Sequence, residues 1–361
     1  MSDRLVIGID ARAAAEVPAG RGRYVRELLT ALARRDDDAE YRLYARSPWD
    51  GPLDDRFTWR LLDARDPLWH VRAALAANRE CGVFLSTNSY LTAWFTRIPC
   101  AVVVYDLITF KPEARPQRRA SLIERATARP AIARADELLC ISEWTREDLV
   151  ARFPKAAGKS VAIPLAASPQ PDGDAAAAVA RLGLERPYVL AVGTLEPRKN
   201  LGRLIQAWSK LPATVRESHT LALVGPTGWE MDEVLAPVKA ARDDVRLVGF
   251  VSDDDLAALY ERCAVFCYPS LYEGFGLPVL EAMQAGAPVI CSDTSSLPEV
   301  GGDAVAYVNP VDSGNIAAVL ERVLGDPQER QRLSAAGRER AQGFSWDETA
   351  RLTYESVAAL A

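Results

Sequence analysis

Short apolar runs recur along this chain with helical stretches between them, the pattern of parallel strands joined by crossover helices, and nothing else in the sequence restricts the fold as tightly. The runs fall into two sets. Arg4–Ile9, Tyr41–Tyr44, Val83–Leu85, Cys100–Tyr105 and Glu137–Ile141 read as strands in the first half, and Tyr188–Val192, Thr220–Val224, Val245–Val248, Val265–Tyr268 and Pro288–Cys291 in the second. Between the sets, Ser168-Pro-Gln-Pro-Asp-Gly-Asp174 and the alanine run after it lack periodicity and read as a linker. A chain of 361 residues exceeds the size at which one hydrophobic core keeps growing, so two domains of roughly 150 to 200 residues are expected. With a boundary near 168–178, the expected division is an α/β domain over 1–170, a second over 171–345, and a C-terminal helix over 346–361 that is able to pack back on the first domain. Helix is expected throughout Ala335–Ala361.

Composition removes several function classes. No apolar stretch approaches the roughly 18 residues that span a bilayer, and Met1-Ser-Asp-Arg-Leu-Val-Ile-Gly-Ile-Asp10 reads as a strand rather than a secretion signal. A cytoplasmic location is expected. The six cysteines are scattered among apolar neighbours and fit reduced, buried thiols. Cys263 and Cys267 have no histidine near them in sequence, so no zinc site is expected. The net charge of -6 argues against a nucleic-acid partner. The acidic triplet at 253–255 follows Ser252 as a capping box at a helix start, so neither it nor Asp36-Asp-Asp38 is read as a metal site.

Three segments carry chemistry. In 265–286 a strand ends near Pro269, a loop containing Gly274 and Gly276 follows, and a helix opens around Pro278 and stops at Gly286. Amides at that helix start, with about half a positive charge from the dipole, form an anion site that the glycines let a phosphate approach. Glu281, read as lying in the first turn, offers a carboxylate to paired hydroxyls such as those of a ribose, and Glu273 lies across the same phosphate. Taken alone, the pair also fits a dipole-complementing Glu281 and an ordinary surface Glu273. The second segment, 188–208, is another strand, loop and helix, with Arg198 and Lys199 ahead of Asn200 as N-cap and Leu201, Leu204, Ile205 and Trp208 as an apolar stripe. Paired cations at the carboxyl end of a parallel strand suit a diphosphate, although a solvated charge pair has the same sequence. The third is Gly20-Arg-Gly22, a glycine turn leading into a helix; as a dinucleotide fingerprint it fails, lacking the third glycine, and this disfavours an NAD-linked oxidoreductase.

Glu273–Glu281 resembles the E-x7-E signature of retaining glycosyltransferases, and the flanking blocks resemble glycosyltransferase family 4. These blocks are Ile9-Asp-Ala-Arg12 with Gly20-Arg-Gly-Arg-Tyr24, Tyr105-Asp-Leu107, Gly193-Thr-Leu-Glu-Pro-Arg-Lys-Asn200, Leu223-Val-Gly-Pro226 and Leu297-Pro-Glu-Val-Gly-Gly-Asp303. The resemblance runs from about residue 6 to 350. It implies the GT-B architecture, two Rossmann-like doubly wound parallel-sheet domains facing a central cleft, the first binding the acceptor and the second a nucleotide-sugar donor. It further implies that Glu281 binds the donor ribose, Glu273 the transferred sugar, and the amides of Phe275, Gly276 and Leu277 the phosphate, in a donor site with Gly193, Thr194 and Gly274. Arg198 and Lys199 would neutralise the leaving diphosphate, Gly20–Gly22 would close over it, and the base would stack near Phe250 and Val251. Relatives carry His-Asp where this chain has Tyr105-Asp106, so Tyr105 brings a hydroxyl to the donor sugar at another reach, and Asp106 is assigned to polar work toward the acceptor.

The implied reaction moves a hexose from a nucleoside diphosphate to an acceptor hydroxyl with retained configuration, by front-face displacement and without a required metal or other cofactor. Mannose from a GDP-linked donor is the first expectation, a UDP-linked donor the other, in surface polysaccharide, glycolipid or glycoconjugate synthesis. A nucleotide-sugar-binding subunit supporting another transferase is the rival reading. The acceptor is a saccharide, glycolipid or small molecule. Residues 115–134 hold six arginines against Glu124 alone, interleaved with Leu122, Ile123 and Ile132, which suits either peripheral docking on the anionic inner face of a membrane or a solvated helical face.

Overall fold

The computed structural model describes residues 4–18, 20–88, 90–111, 118–168, 174–228 and 244–361. The middle of the linker, 169–173, and residues 115–117 of the basic stretch lie outside the described residues. The chain forms two compact units, one from Met1–Phe110, Arg118–Leu165 and Ser345–Ala361, the other from Lys111–Gln117 and Ala166–Phe344.

The first unit carries β1 (Val6–Asp10), β2 (Glu40–Ala45), β3 (Phe57–Leu61), β4 (Val83–Ser86), β5 (Cys100–Val104), β6 (Glu137–Cys140) and β7 (Ser160–Ala162) in the order β3-β2-β1-β4-β5-β6-β7. The second carries β8 (Tyr188–Val192), β9 (Thr220–Val224), β10 (Val245–Gly249), β11 (Val265–Tyr268), β12 (Val289–Ser292) and β13 (Ala306–Val308) in the order β10-β9-β8-β11-β12-β13. Every pairing is parallel. All ten expected strands are present. The additional strands β3, β7 and β13 stand at sheet edges, where one flank is unpaired and fewer positions need apolar side chains.

In each sheet the strand order reverses beside one strand, at β1/β4 in the first unit and β8/β11 in the second. Chains leave two neighbouring strand ends there in opposite directions and open a crevice at their carboxyl ends. The strands on either side are buried on both faces, as β8 and β11 are throughout. The helix Leu201–Ser209 seats Leu201, Leu204, Ile205 and Trp208 on the second sheet, the stripe expected from its spacing.

The helical end of the chain is divided. One helix, Pro327–Ala341, stays in the second unit, and another, Trp346–Ala358, belongs to the first. The uninterrupted helix expected over 335–361 is thus broken around Gly343, after which Ser345 caps the next helix with its side chain. Trp346 meets Tyr24 edge-on at 6.1 Å, and Thr349 donates to the Pro164 carbonyl at 2.7 Å, so this helix covers Arg21–Ala33.

Candidate active site

The loops that follow β8 and β11 meet at the switch point of the second sheet, and the contacts between them build the site. Past β8, Gly193 turns with φ 139, which a side chain would resist, and a Cβ there would stand 3.0 Å from Lys199 Cε. Thr194 follows, half-buried. Asn200 does not cap its helix as expected. It adopts φ 60 and its side-chain amide donates to the carbonyls of Pro269 at 2.9 Å and Pro310 at 2.7 Å, tying the two loops together. The backbone adds Leu271 N–H to the Arg198 carbonyl at 2.9 Å.

Arg198 and Lys199 were expected as cations standing in an open crevice; each is paired. Glu273 is 7% exposed and its Oε1 accepts from Lys199 Nζ at 2.7 Å, Tyr268 at 2.8 Å and Ser270 at 2.6 Å. Its Oε2 accepts from Arg198, whose Nε donates in turn to Glu196 at 2.9 Å. Burial alone would raise the Glu273 carboxyl, but Arg198 and Lys199 reverse this and hold it at about 2, so it is ionised at neutral pH. Lys199 lies below its ordinary value because burial and Arg198 outweigh the attraction of Glu273. Two cations thus face two carboxylates, a preorganised array rather than a surplus of positive charge. Among the described residues Lys199 spends one donor on Glu273 and one on the Tyr268 hydroxyl, which leaves a third.

The loop 273–276 leads into the helix Leu277–Ala285, which starts at Gly276 with φ 110, places Pro278 in its first turn and ends at Gly286 with φ 83. No side chain caps its start. Gly274 and Phe275 are buried, and Phe275 packs edge-on against Phe344 at 5.9 Å. Ser295 and Ser296 hold the loop from behind: Ser295 Oγ accepts from the Glu273 amide at 3.1 Å, and Ser296 Oγ reaches the carbonyls of Glu273 at 3.0 Å and Phe275 at 2.7 Å. Glu281 is the fifth helical residue, beyond the first turn where it was expected, and is buried with Oε2 accepting from Tyr260 at 3.2 Å. Phe250 follows edge strand β10 with 72% of its surface exposed, beside half-buried Val251. The supporting residues Tyr260, Tyr268, Ser270, Ser295 and Ser296 went unread, since a tyrosine in an apolar run reads as core and serines in a loop read as turn.

The other expected residues lie in the first unit. Gly20 caps the helix Arg21–Ala33, but Gly22 is inside that helix rather than in a flexible loop. A Cβ on Gly22 would fall 1.7 Å from the Val17 carbonyl oxygen, so its glycine is required for close packing of the preceding turn. Tyr105 follows β5 and donates its hydroxyl to the Thr87 carbonyl at 2.6 Å, while Arg21 lies over its ring at 5.2 Å. Asp106 accepts from the Ile108 amide at 2.9 Å. Beneath them Asp10, Arg12, His70 and Thr92 form a buried polar network: Arg12 reaches Asp66 at 3.0 Å and lies 4.0 Å over Trp69, and His70 Nδ1 is 2.7 Å from Thr92. Burial, then Arg12, pushes His70 down to about 4, so it is neutral at pH 7.

A parallel-sheet crevice with an uncapped helix start beside a fixed pair of cations suits an anionic ligand, and relatives carry the reading further. Residues 174–340 match the family model for glycosyl transferases group 1. The O-antigen chain mannosyltransferase B of Escherichia coli is 34% identical over 297 residues, 80% of this chain and 76% of that protein. The chain belongs to the group 1 glycosyl transferases. The MMP alpha-(1->4)-mannosyltransferase of Mycolicibacterium hassiacum is 34% identical to this glycosyl transferase over 228 residues, 60% of the chain and 52% of that protein. Sucrose-phosphate synthase from Thermosynechococcus elongatus superposes with a TM-score of 0.78, covering 99% of this glycosyl transferase and 100% of that chain at 24% identity, and the shared fold is GT-B. The family match spans the β8 loop, the β11 loop and the helix Leu277–Ala285. Among the described residues of this glycosyl transferase, no group of His, Cys, Asp and Glu is arranged to hold a metal ion, and no helix is long and apolar enough to cross a membrane.

Proposed function

We propose that this glycosyl transferase moves mannose or a related hexose from a nucleoside-diphosphate donor, GDP-linked first and UDP-linked second, to a hydroxyl of a saccharide or glycolipid, with retention of anomeric configuration. The array of Arg198, Lys199 and Glu273 beside the start of the helix Leu277–Ala285 is the observation that carries this reading. Breaking the anomeric bond leaves charge on the diphosphate. The remaining donor of Lys199, the Arg198 guanidinium and the amides of Phe275, Gly276 and Leu277 meet that charge as it develops, and because they are already oriented they need no rearrangement in the transition state. Glu273 holds both cations in place, and Oε2, which accepts only from Arg198 among the described residues, has a lone pair left for a hydroxyl of the transferred sugar. Glu281, oriented by Tyr260, accepts the ribose hydroxyls, with the base over Phe250 and Val251. The phosphate oxygen that leaves the sugar takes the acceptor's proton on the same face, which yields retention. In this scheme oriented donors and the helix start, rather than a net positive charge or a metal, stabilise the leaving diphosphate.

Mannose is supported by the two relatives, each named as a mannosyltransferase. Contact with anionic membrane is supported by Leu122 and Ile123 on the helix Arg118–Arg134, 69% and 59% exposed, and by Trp94 and Phe95 on the helix Tyr90–Phe95 that packs against it. Arg125 is turned to the Thr109 carbonyl at 2.6 Å and keeps its charge, whereas that of Arg134 is offset by Asp136 at 3.1 Å.

Incubation of the purified chain with GDP-mannose and a mannoside acceptor, read by proton NMR of the product, tests the reaction. An α-linked product is expected; a β-linked product refutes retention, and absence of both transfer and donor hydrolysis supports a binding subunit instead.

A further inference from the structure

Strand β11 ends at Tyr268, where packing requires only a ring. All four residues of the strand are buried, and Phe266 stacks on Tyr268 with ring centres 5.7 Å apart. Phenylalanine would fill the same space without taking a hydroxyl into the core, where such a group costs free energy unless it is hydrogen-bonded. The hydroxyl is used on both sides. It accepts from Lys199 Nζ and donates to Glu273 Oε1 at 2.8 Å. Burial, then the charge of Glu273, raises the phenol well above its ordinary value, so it stays protonated and keeps donating.

Lys199 donates to both of these groups, so the three side chains close a triangle of hydrogen bonds. A single bond leaves an ammonium free to pivot about it. Two bonds, to groups that are themselves bound to each other, stop that motion and fix the direction of the N–H that remains. The hydroxyl also favours the charged lysine, because an ammonium gives a stronger hydrogen bond than an amine. It works with Glu273 and Glu196 against burial and Arg198, which hold Lys199 below its ordinary value. Ser270 provides a comparison: it donates to the same Glu273 oxygen at 2.6 Å but, among the described residues, makes no bond to Lys199.

We propose that Tyr268 is a positioning residue for the transfer step, its hydroxyl locking the Lys199 ammonium so that the third N–H is presented to the leaving diphosphate. The assignment rests on the diphosphate reading of this site and adds to it a residue that acts through Lys199.

Tyr268→Phe, which keeps the ring and its 4.8 Å contact with the ammonium, tests this alone and combined with Lys199→Ala. Consumption of GDP-mannose in the presence of methyl α-mannoside gives kcat, and calorimetry gives GDP affinity. Carbon-13 NMR of the lysine ε-methylenes, with Lys199→Ala identifying the signal, gives the titration of Lys199. Tyr268→Phe should lower kcat about tenfold while GDP affinity, which needs the charge more than its direction, falls no more than about threefold. Losing one charge-assisted hydrogen bond should move the Lys199 titration and the alkaline limb of kcat down by about one pH unit. In Lys199→Ala the same substitution should change kcat less than about twofold, because the group it acts through is gone. Ser270→Ala should leave the Lys199 titration in place. The proposal is overturned if Tyr268→Phe turns over at the wild-type rate, if its cost persists undiminished in Lys199→Ala, if its Lys199 titrates as in wild type, or if Ser270→Ala moves that titration equally. Loss of the fold in Tyr268→Phe, read by circular dichroism, makes the hydroxyl structural and overturns it too. Absence of donor consumption by wild type removes the glycosyl-transfer reading, and the titration then decides alone whether the hydroxyl holds Lys199.

Discussion

At the scale of single residues, Glu273 decides how the site is charged. Its carboxyl is held at about 2 against an ordinary 4.5, so the folded state binds a proton less readily than the unfolded chain. The stabilisation is fully present above the unfolded value and disappears as pH falls from about 4.5 to about 2, and at about 1.4 kcal/mol per tenfold it is on the order of 3 kcal/mol. Glu273→Gln should therefore lower resistance to urea strongly at pH 7, and the gap from wild type should shrink by about half at pH 3. An unchanged gap would show that the carboxylate charge is not what binds Arg198 and Lys199. Lys199→Ala and Arg198→Ala should each lower kcat about 10²- to 10³-fold, the effect of removing one preorganised donor from developing charge. Lys199→Ala should remain folded, because Arg198, Tyr268 and Ser270 still satisfy Glu273. Wild-type turnover in both variants would refute the diphosphate assignment. The identities of these three residues were legible in the sequence, but their pairing was not: spacing places Arg198 and Glu273 on separate loops and is silent on whether those loops touch.

At the scale of elements, the clamp between the β8 and β11 loops depends on Asn200. Asn200→Ala removes three hydrogen bonds, the third accepted by Oδ1 from Arg203 at 2.6 Å, each worth about 0.5 to 1.5 kcal/mol, and places alanine at φ 60 for about 1 kcal/mol more, a total of about 2.5 to 5.5 kcal/mol. Asn200→Gly should recover only the backbone part, about 1 kcal/mol, and equal urea midpoints for the two variants would show that φ contributes nothing. Reading Asn200 as an N-cap was the physically ordinary inference, since Asn caps helices well; long-range contacts to Pro269 and Pro310 overrode it, and no local pattern signals them. Central strands were legible for the complementary reason. Burial on both faces makes β5, β8, β9 and β11 nearly continuous apolar runs, whereas the edge strand β3 is only half-buried and mixes Thr58, Trp59 and Arg60.

At the scale of the whole molecule, the sheet orders place a switch point in each unit, and the family relationship makes the chain a glycosyl transferase. The return of the chain's last helix to the first unit was one placement that the sequence left open, because an amphipathic helix records that it packs, not where. If the exposed apolar residues of the first unit touch lipid, the double variant Leu122→Ser, Ile123→Ser should sediment with phosphatidylglycerol vesicles at least tenfold less than wild type, and equal sedimentation would remove this face from membrane contact. The central claim concerns the second unit: that the loops after β8 and β11 hold a nucleoside diphosphate. Calorimetric titration of GDP and UDP into wild type and Lys199→Ala measures this most directly. One of the two nucleotides should bind wild type and bind the variant at least tenfold more weakly; equal affinity in both proteins, or no binding of either nucleotide to wild type, would contradict it.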